Sequence, residues 1–332
     1  METNKVETKK TETKRMEPDL KLINMETVEV EQIEWLFYPF IPFGKVTIIQ
    51  GDPGEGKTTM VLQIIAKLTR GEKILPEQKQ ATDEKNRAEK NVDSAANPVE
   101  SPIEPVNVIY QTAEDGLGDT IKPRLVEAGA DLSKVMVIDD TEEALTLSDD
   151  RIEKAIRQNQ VRLLIIDPVQ AFIGADVDMN RANEVRPVFR KLGMIAEKTG
   201  CAIVLIGHLN KSSGTQSTYR GLGSIDIMAA VRSLLFIGKV KKDPTTRVLI
   251  HEKSSLAPPG ETMAFKLGDE EGFRWVGAYE ISADDLLDGK EGKPTETKLQ
   301  RGTKLIYELL ADGNAVTIRA VSYTHLRAHE TK

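Results

Sequence analysis

Residues 44–62 read GKVTIIQGDPGEGKTTMVL, and the interpretation of the whole chain turns on them. From Val46 to Gln50 the run is apolar, as a buried strand is. Glycines at 51, 54 and 56 interrupt it, and a helical pattern resumes over about 58–68. Gly51, Asp52, Pro53, Gly54, Glu55, Gly56, Lys57 and Thr58 fit the spacing G-x-x-x-x-G-K-[ST], the phosphate-binding P-loop. Such glycines let the backbone curl around an anion, so that several N–H groups and the positive end of the next helix converge on phosphate oxygens. Lys57 adds a point charge for the outer phosphates, Thr58 a hydroxyl ligand for Mg²⁺, and Thr59 a further hydroxyl. The bland alternative is a chance glycine turn, and the strand before it and the helix after it argue against chance.

The totals set the frame for that loop. With 332 residues, 39% of them hydrophobic, the chain can bury a core as one large or two ordinary domains. A net charge of −7 gives no global argument for nucleic acid, so any such contact has to come from local basic loops. The single cysteine, Cys201, excludes an internal disulfide and a cysteine metal site, and it opens an apolar strand as a small core residue would. No apolar stretch is long enough to span a membrane and no apolar leader opens the chain, so a cytoplasmic protein without a membrane partner is expected.

Outward from the loop, residues 1–20 are dense in Lys, Glu and Thr without apolar period and read as a disordered tail. The aromatics from Trp35 to Phe43 are expected to pack, with base stacking as the less favoured use. Residues 77–105 are polar and read as a flexible insertion. Strand signals follow at 106–112, 135–139, 163–167, 202–207 and 234–238. Helix patterns lie between them at 117–128, 149–159, 183–199 and 225–231, with Pro123 expected to kink the first. This alternation predicts an α/β fold with a mainly parallel central sheet and helices on both faces. Short strands without helices at 247–253, 263–267 and 273–277 predict an antiparallel C-terminal extension, which completes a domain over 21–283. Residues 284–297 read as a linker, and 298–320 as the start of a truncated helical module of winged-helix type. Residues 321–332 read as a sequencing-adapter artefact, so that the native C-terminus is missing and His325 and His329 carry no functional meaning.

Two carboxylates complete the chemistry. Leu163 to Asp167 is a buried strand ending in an acid, the place for a second Mg²⁺ anchor, so Asp167 takes that role. Pro168 follows it where many P-loop enzymes keep a catalytic glutamate, so the base has to come from elsewhere. Glu114, just past the end of the 106–112 strand, is assigned as general base, with Asp115 as substitute or helix N-cap.

With GDPGEGKTT, YQTAEDG, IKPRL, LLIIDP, IGHLNKSSG, YRGLGSIDIMAAVRSLLF and HEKSSLAPPG in place, residues 33–277 resemble RecA-like P-loop ATPases of the plasmid RepA type, similar to the DnaB-type hexameric helicases. The resemblance implies Mg²⁺-dependent ATP hydrolysis in a homo-oligomeric ring, a hexamer, acting as helicase or translocase on single-stranded DNA in replication or repair. It also implies that His208 senses the γ-phosphate, Arg124 lies near the phosphates, Arg232 is an arginine finger for a neighbouring subunit, and Lys253 approaches the same shared site. His208 could equally be a hydrogen-bonded strand-end histidine, and Arg232 a cation at a helix end. The loops at 174–183 and 209–223 would line a channel, where Lys211, Arg220 and Arg181 could meet a phosphate backbone. Three other readings stay open. One is a recombinase-like or regulatory DNA-associated ATPase without unwinding. Another is a small-molecule kinase, disfavoured because no arginine-rich lid or acceptor pocket is found. The third is an ATPase without nucleic-acid partners.

Overall fold

In the computed structural model, which describes residues 22–75, 104–179, 181–209, 225–268, 270–296, 301, 302 and 304, the strand before the P-loop becomes the middle of a sheet. The expected tail at 1–20 and the artefact at 321–332 lie outside the described residues, as do most of the insertion and of the helical module. The chain divides at Gln32. In the first unit, Asn24 caps a 3-10 turn at Met25–Thr27.

In the second unit β1 (Trp35–Phe37) and β2 (Ile41–Pro42) form a small hairpin, and the remaining strands form one ten-stranded sheet. Its parallel part contains β3 (Val46–Gly51), β4 (Asn107–Thr112), β5 (Val135–Met136), β6 (Val161–Asp167), β7 (Ala202–His208) and β8 (Ser233–Lys239), in the order β8-β3-β7-β6-β4-β5. Next to β8, four antiparallel strands continue the sheet: β9 (Thr246–Ser254), β10 (Met263–Lys266), β11 (Arg274–Glu280) and β12 (Lys293–Pro294). This is the expected fold class.

Apolar runs such as Ile48-Ile49 and Leu163 to Ile166 are buried on both faces because each face carries helices. One core contains residues of α3 (Asp150–Gln158), α4 (Ala182–Thr199) and α5 (Ile225–Ala230). The other contains residues of α1 (Lys57–Thr69), α2 (Lys122–Glu127) and the β1–β2 hairpin. Phe37 and Phe40 are buried there, so these aromatics pack, as expected. Cys201 is buried as well, and burial pushes its thiol up to about 12, which leaves it inert.

Three local expectations change. The strand expected at 135–139 stops at Met136 because the Gln111 side chain takes over the pairing. Gln111 Nε2 donates to Ile138 O at 3.2 Å, and Ile138 N donates to Gln111 Oε1 at 3.0 Å. Pro123 does not fall inside one continuous α-helix. A π-helical turn at Leu117–Ile121 ends before it, and the proline falls in the first turn of α2, where its missing N–H is not needed. The segment read as a linker at 284–297 contains α6 (Ala283–Asp288), whose start is capped when Asp285 N donates to Ser282 Oγ at 3.1 Å, and β12, which pairs with β11. Leu286 and Ala283 bury against the extension, an anchorage that a polar composition hides.

Within the extension, on β9, lies a buried histidine with a defined proton. Ser233 Oγ donates to Phe40 O at 2.6 Å, so it accepts from His251 Nε2, 3.1 Å away. Gly260 N donates to His251 Nδ1 at 2.9 Å. The ring is therefore neutral and protonated on Nε2. Burial lowers its pKa from 6.5 to about 4. The unfolded chain binds this proton more readily, so the ring's contribution is complete above pH 6.5 and fades as pH falls towards 4. Between pH 7.5 and pH 5 the protein is expected to lose about 2 kcal/mol of stability from this group. Urea midpoints at the two pH values should show the loss in the wild type and a smaller one in His251→Gln.

Candidate active site

The parallel strands end together, and their register decides what meets. Gly51 is aligned with His208, and Thr112 with Asp167. Side chains alternate along a strand, so Tyr110, Thr112, Asp167 and His208 fall on the same face as Val108, Ile165 and Ile206, which pack in the core shared with α1. The P-loop opens onto that face.

Gly51 permits the loop's departure: a Cβ there would sit 2.2 Å from Ile237 O of β8. Gly54 and Gly56 hold φ of +79° and +90°, a left-handed backbone that glycine adopts without strain. Asp52 O accepts from Glu55 N at 3.4 Å across the turn that contains Pro53, and Gly56 is the N-cap of α1. Lys57 is buried, and its Nζ donates to Gly51 O and Asp52 O, each at 2.8 Å. Loss of water lowers the ammonium's pKa against the opposing pull of Asp167, Asp52, Glu55 and Glu114. Thr58 and Thr59 occupy the first turn of α1.

Asp167 is the centre of the polar contacts. Its Oδ2 accepts from Thr58 Oγ1 at 2.8 Å and from the Tyr110 hydroxyl at 2.7 Å. Burial raises the carboxyl's pKa, and the two donors and Lys57 oppose the rise. The Tyr110 hydroxyl is pushed well above the ordinary phenol range, first by burial and then by the Asp167 charge, so it stays a donor. Among the described residues there is no group of three or more His, Cys, Asp or Glu that could hold a metal ion. One carboxylate and one hydroxyl in contact suit Mg²⁺, which completes its shell with water and substrate phosphates.

Glu114 follows the end of β4, and its Oε2 lies 3.7 Å from His208 Nε2. Ala113 N donates to Asp167 O at 3.3 Å and ties the two strand ends together. His208 O accepts from Gln170 Nε2 at 3.4 Å, while His208 Nδ1 is buried without a partner. Asp115 caps no helix. Its Oδ2 is 3.3 Å from Arg124 Nη1, which places Arg124, the third residue of α2, beside the 114–115 corner.

Two expected residues lie elsewhere. Arg232 N donates to Val46 O, at the start of β3 and so at the opposite end of the sheet from the loop. Lys253 pairs with Leu234 near that same end, and its Nζ donates to Met228 O at 2.6 Å and Val231 O at 3.0 Å, closing the end of α5. Neither reaches the P-loop of its own chain. Arg181 precedes α4, between Asp178 at 3.4 Å and Glu184 at 3.2 Å. Lys211 and Arg220 lie outside the described residues.

Sequence reasoning missed Tyr110, Gln170 and Arg247. The phase of Tyr110 with Thr112 on a strand beside Asp167 was a usable signal. Arg247, which packs against Gly56 from β9, had none.

A parallel sheet whose central strand runs into this loop, with the loop threonine bonded to a neighbouring strand-end aspartate, is the arrangement of the P-loop NTPase class. A family model described as AAA domain matches residues 11–214, and the chain belongs to that family. It is 24% identical over 270 residues to the DNA repair protein RadA of Halalkalibacterium halodurans, covering 81% of this chain and 49% of the relative. With the DNA repair protein RadA of Salmonella typhimurium it shares 24% identity over 170 residues, covering 51% of this chain and 28% of that protein. The chain thus spans at most about half the length of these curated relatives. A crystal structure of the RadB recombinase is similar at 20% identity and a TM-score of 0.45, over 70% of this chain and 91% of that one.

Proposed function

We propose that this protein is a Mg²⁺-dependent ATPase of the RecA-like kind that acts with DNA in repair, in a recombinase-like or regulatory role. The observation that carries the reading is the 2.8 Å bond between Thr58 Oγ1 and Asp167 Oδ2, which brings the two proposed Mg²⁺ anchors together. The DNA and repair parts rest on likeness to proteins named for DNA repair.

In this reading the loop amides from Gly51 to Thr59 hold the phosphates and Lys57 Nζ supplies the charge beside them. Mg²⁺, when bound by Thr58 and Asp167, neutralises charge on the phosphate oxygens. Glu114 accepts the proton of the attacking water at its carboxylate. His208 Nε2, on the same corner, holds the terminal phosphate side of the site, with Arg124 steadying Asp115 next to it. Glu114→Gln is expected to bind nucleotide normally and to release phosphate about a hundredfold more slowly. Turnover at the wild-type rate would remove Glu114 from the role.

A ring helicase is the second reading; since Arg232 and Lys253 lie at the strand ends away from their own loop, it requires another copy to present them at a phosphate. Unwinding of a forked duplex, set against ATP-dependent assembly on single strands, separates the two readings. The DNA partner itself falls if single-stranded DNA neither binds nor stimulates hydrolysis.

A further inference from the structure

Arg247 belongs to none of the motifs above, yet it touches the loop. It is 9% exposed, and its Nη1 donates to Leu267 O at 2.7 Å, Pro244 O at 3.1 Å and Thr245 O at 3.3 Å. These bonds fix the guanidinium across the ends of β9 and β10. Its Nε is buried with no acceptor. A Cβ at Gly56 would lie 3.0 Å from Arg247 Cδ, 3.1 Å from Arg247 Nε and 2.9 Å from Leu267 Cδ2, so two side chains of the extension fill the side of the last loop glycine where a Cβ would stand. The residue before that glycine, Glu55, has a buried Oε2 with no donor. Opposite charges thus flank Gly56, each with one buried atom unsatisfied.

A tie for the 244–246 turn would account for the Nη1 bonds. It would not account for the stem and Nε lying on Gly56. We infer that Arg247 is a positioning residue for the phosphate loop, clamping Gly56 against Leu267 and offsetting the Glu55 carboxylate, so that a loop with its own anions still accepts an anionic ligand. The inference rests on reading the loop as a nucleotide site. Desolvation lowers the Arg247 pKa, and the Glu55 charge opposes the fall.

The test is a double-mutant cycle read with a fluorescent ADP analogue and Mg²⁺, joined to hydrogen exchange over residues 51–57 without nucleotide. Arg247→Met is expected to weaken binding roughly tenfold, Glu55→Gln alone, which removes an anion from the loop, to strengthen it, and the double variant to recover most of the loss. Loop amides should exchange faster in Arg247→Met. Binding at wild-type strength in Arg247→Met, or a double variant no better than it, overturns the inference. If Arg247→Met does not fold, Arg247→Lys, which keeps the charge and loses the fork, takes its place in the cycle with a smaller expected loss. Wild-type protein that binds no nucleotide, with loop exchange still faster in the variant, would sink the nucleotide reading and leave the clamp standing.

Discussion

Lys57→Ala is expected to hydrolyse ATP at least about a hundredfold more slowly than the wild type, because it removes a preorganised charge from a site shielded from water. The ammonium is buried and both its carbonyl partners belong to the loop, so its charge is fixed at the loop by the loop's own backbone. The fold should tolerate the change. Loss of water already disfavours the charge at this position, so removing it relieves a cost while leaving two carbonyls without a donor. We expect stability within about 1 kcal/mol of wild type, and a phosphate-release assay on protein of unchanged melting behaviour checks the pair. Hydrolysis at the wild-type rate would refute the assignment of this loop.

The second large effect is on folding. Gly51→Ala places a methyl group 2.2 Å from the Ile237 carbonyl, a backbone atom of the strand beside β3. It cannot swing aside as a side chain would, so either β8 shifts or the loop leaves its path. We expect a loss of about 3 kcal/mol or more. Gly54→Ala is the control: nothing lies within 4 Å of its Cβ and only the positive φ is strained, so about 1 kcal/mol is expected there. Equal urea midpoints for the two variants would show that contact with Ile237 does not decide the geometry.

Much of this architecture was legible because its signals are local. The P-loop, the strand ending in Asp167 and the alternation of apolar runs with helix-length segments each lie within one stretch of chain. The assignment of Glu114 depends on β4 lying beside β6, and the register of Thr112 with Asp167 makes the two strands neighbours. What escaped depends on contacts across the sheet. Tyr110 meets Asp167 from 57 residues away, and Arg247 meets Gly56 across strand pairings that no periodicity announces. The end of β5 was misjudged because a side-chain amide, Gln111, substitutes for backbone pairing. The segment at 284–297 was misjudged because one serine cap and two buried apolar residues outweigh its polar composition.

The walls of the P-loop also bear on where the chain can be cut. Ile237, Arg247 and Leu267, the residues that close on Gly51 and Gly56, all come after residue 214, where the recognised family region ends. So does β8, which closes one side of the loop's own strand. A fragment trimmed to that region would keep every residue of the motif and lose the mould that shapes it. Domain boundaries chosen for expression, or for grafting this loop into another scaffold, therefore belong after the extension, at or beyond β12.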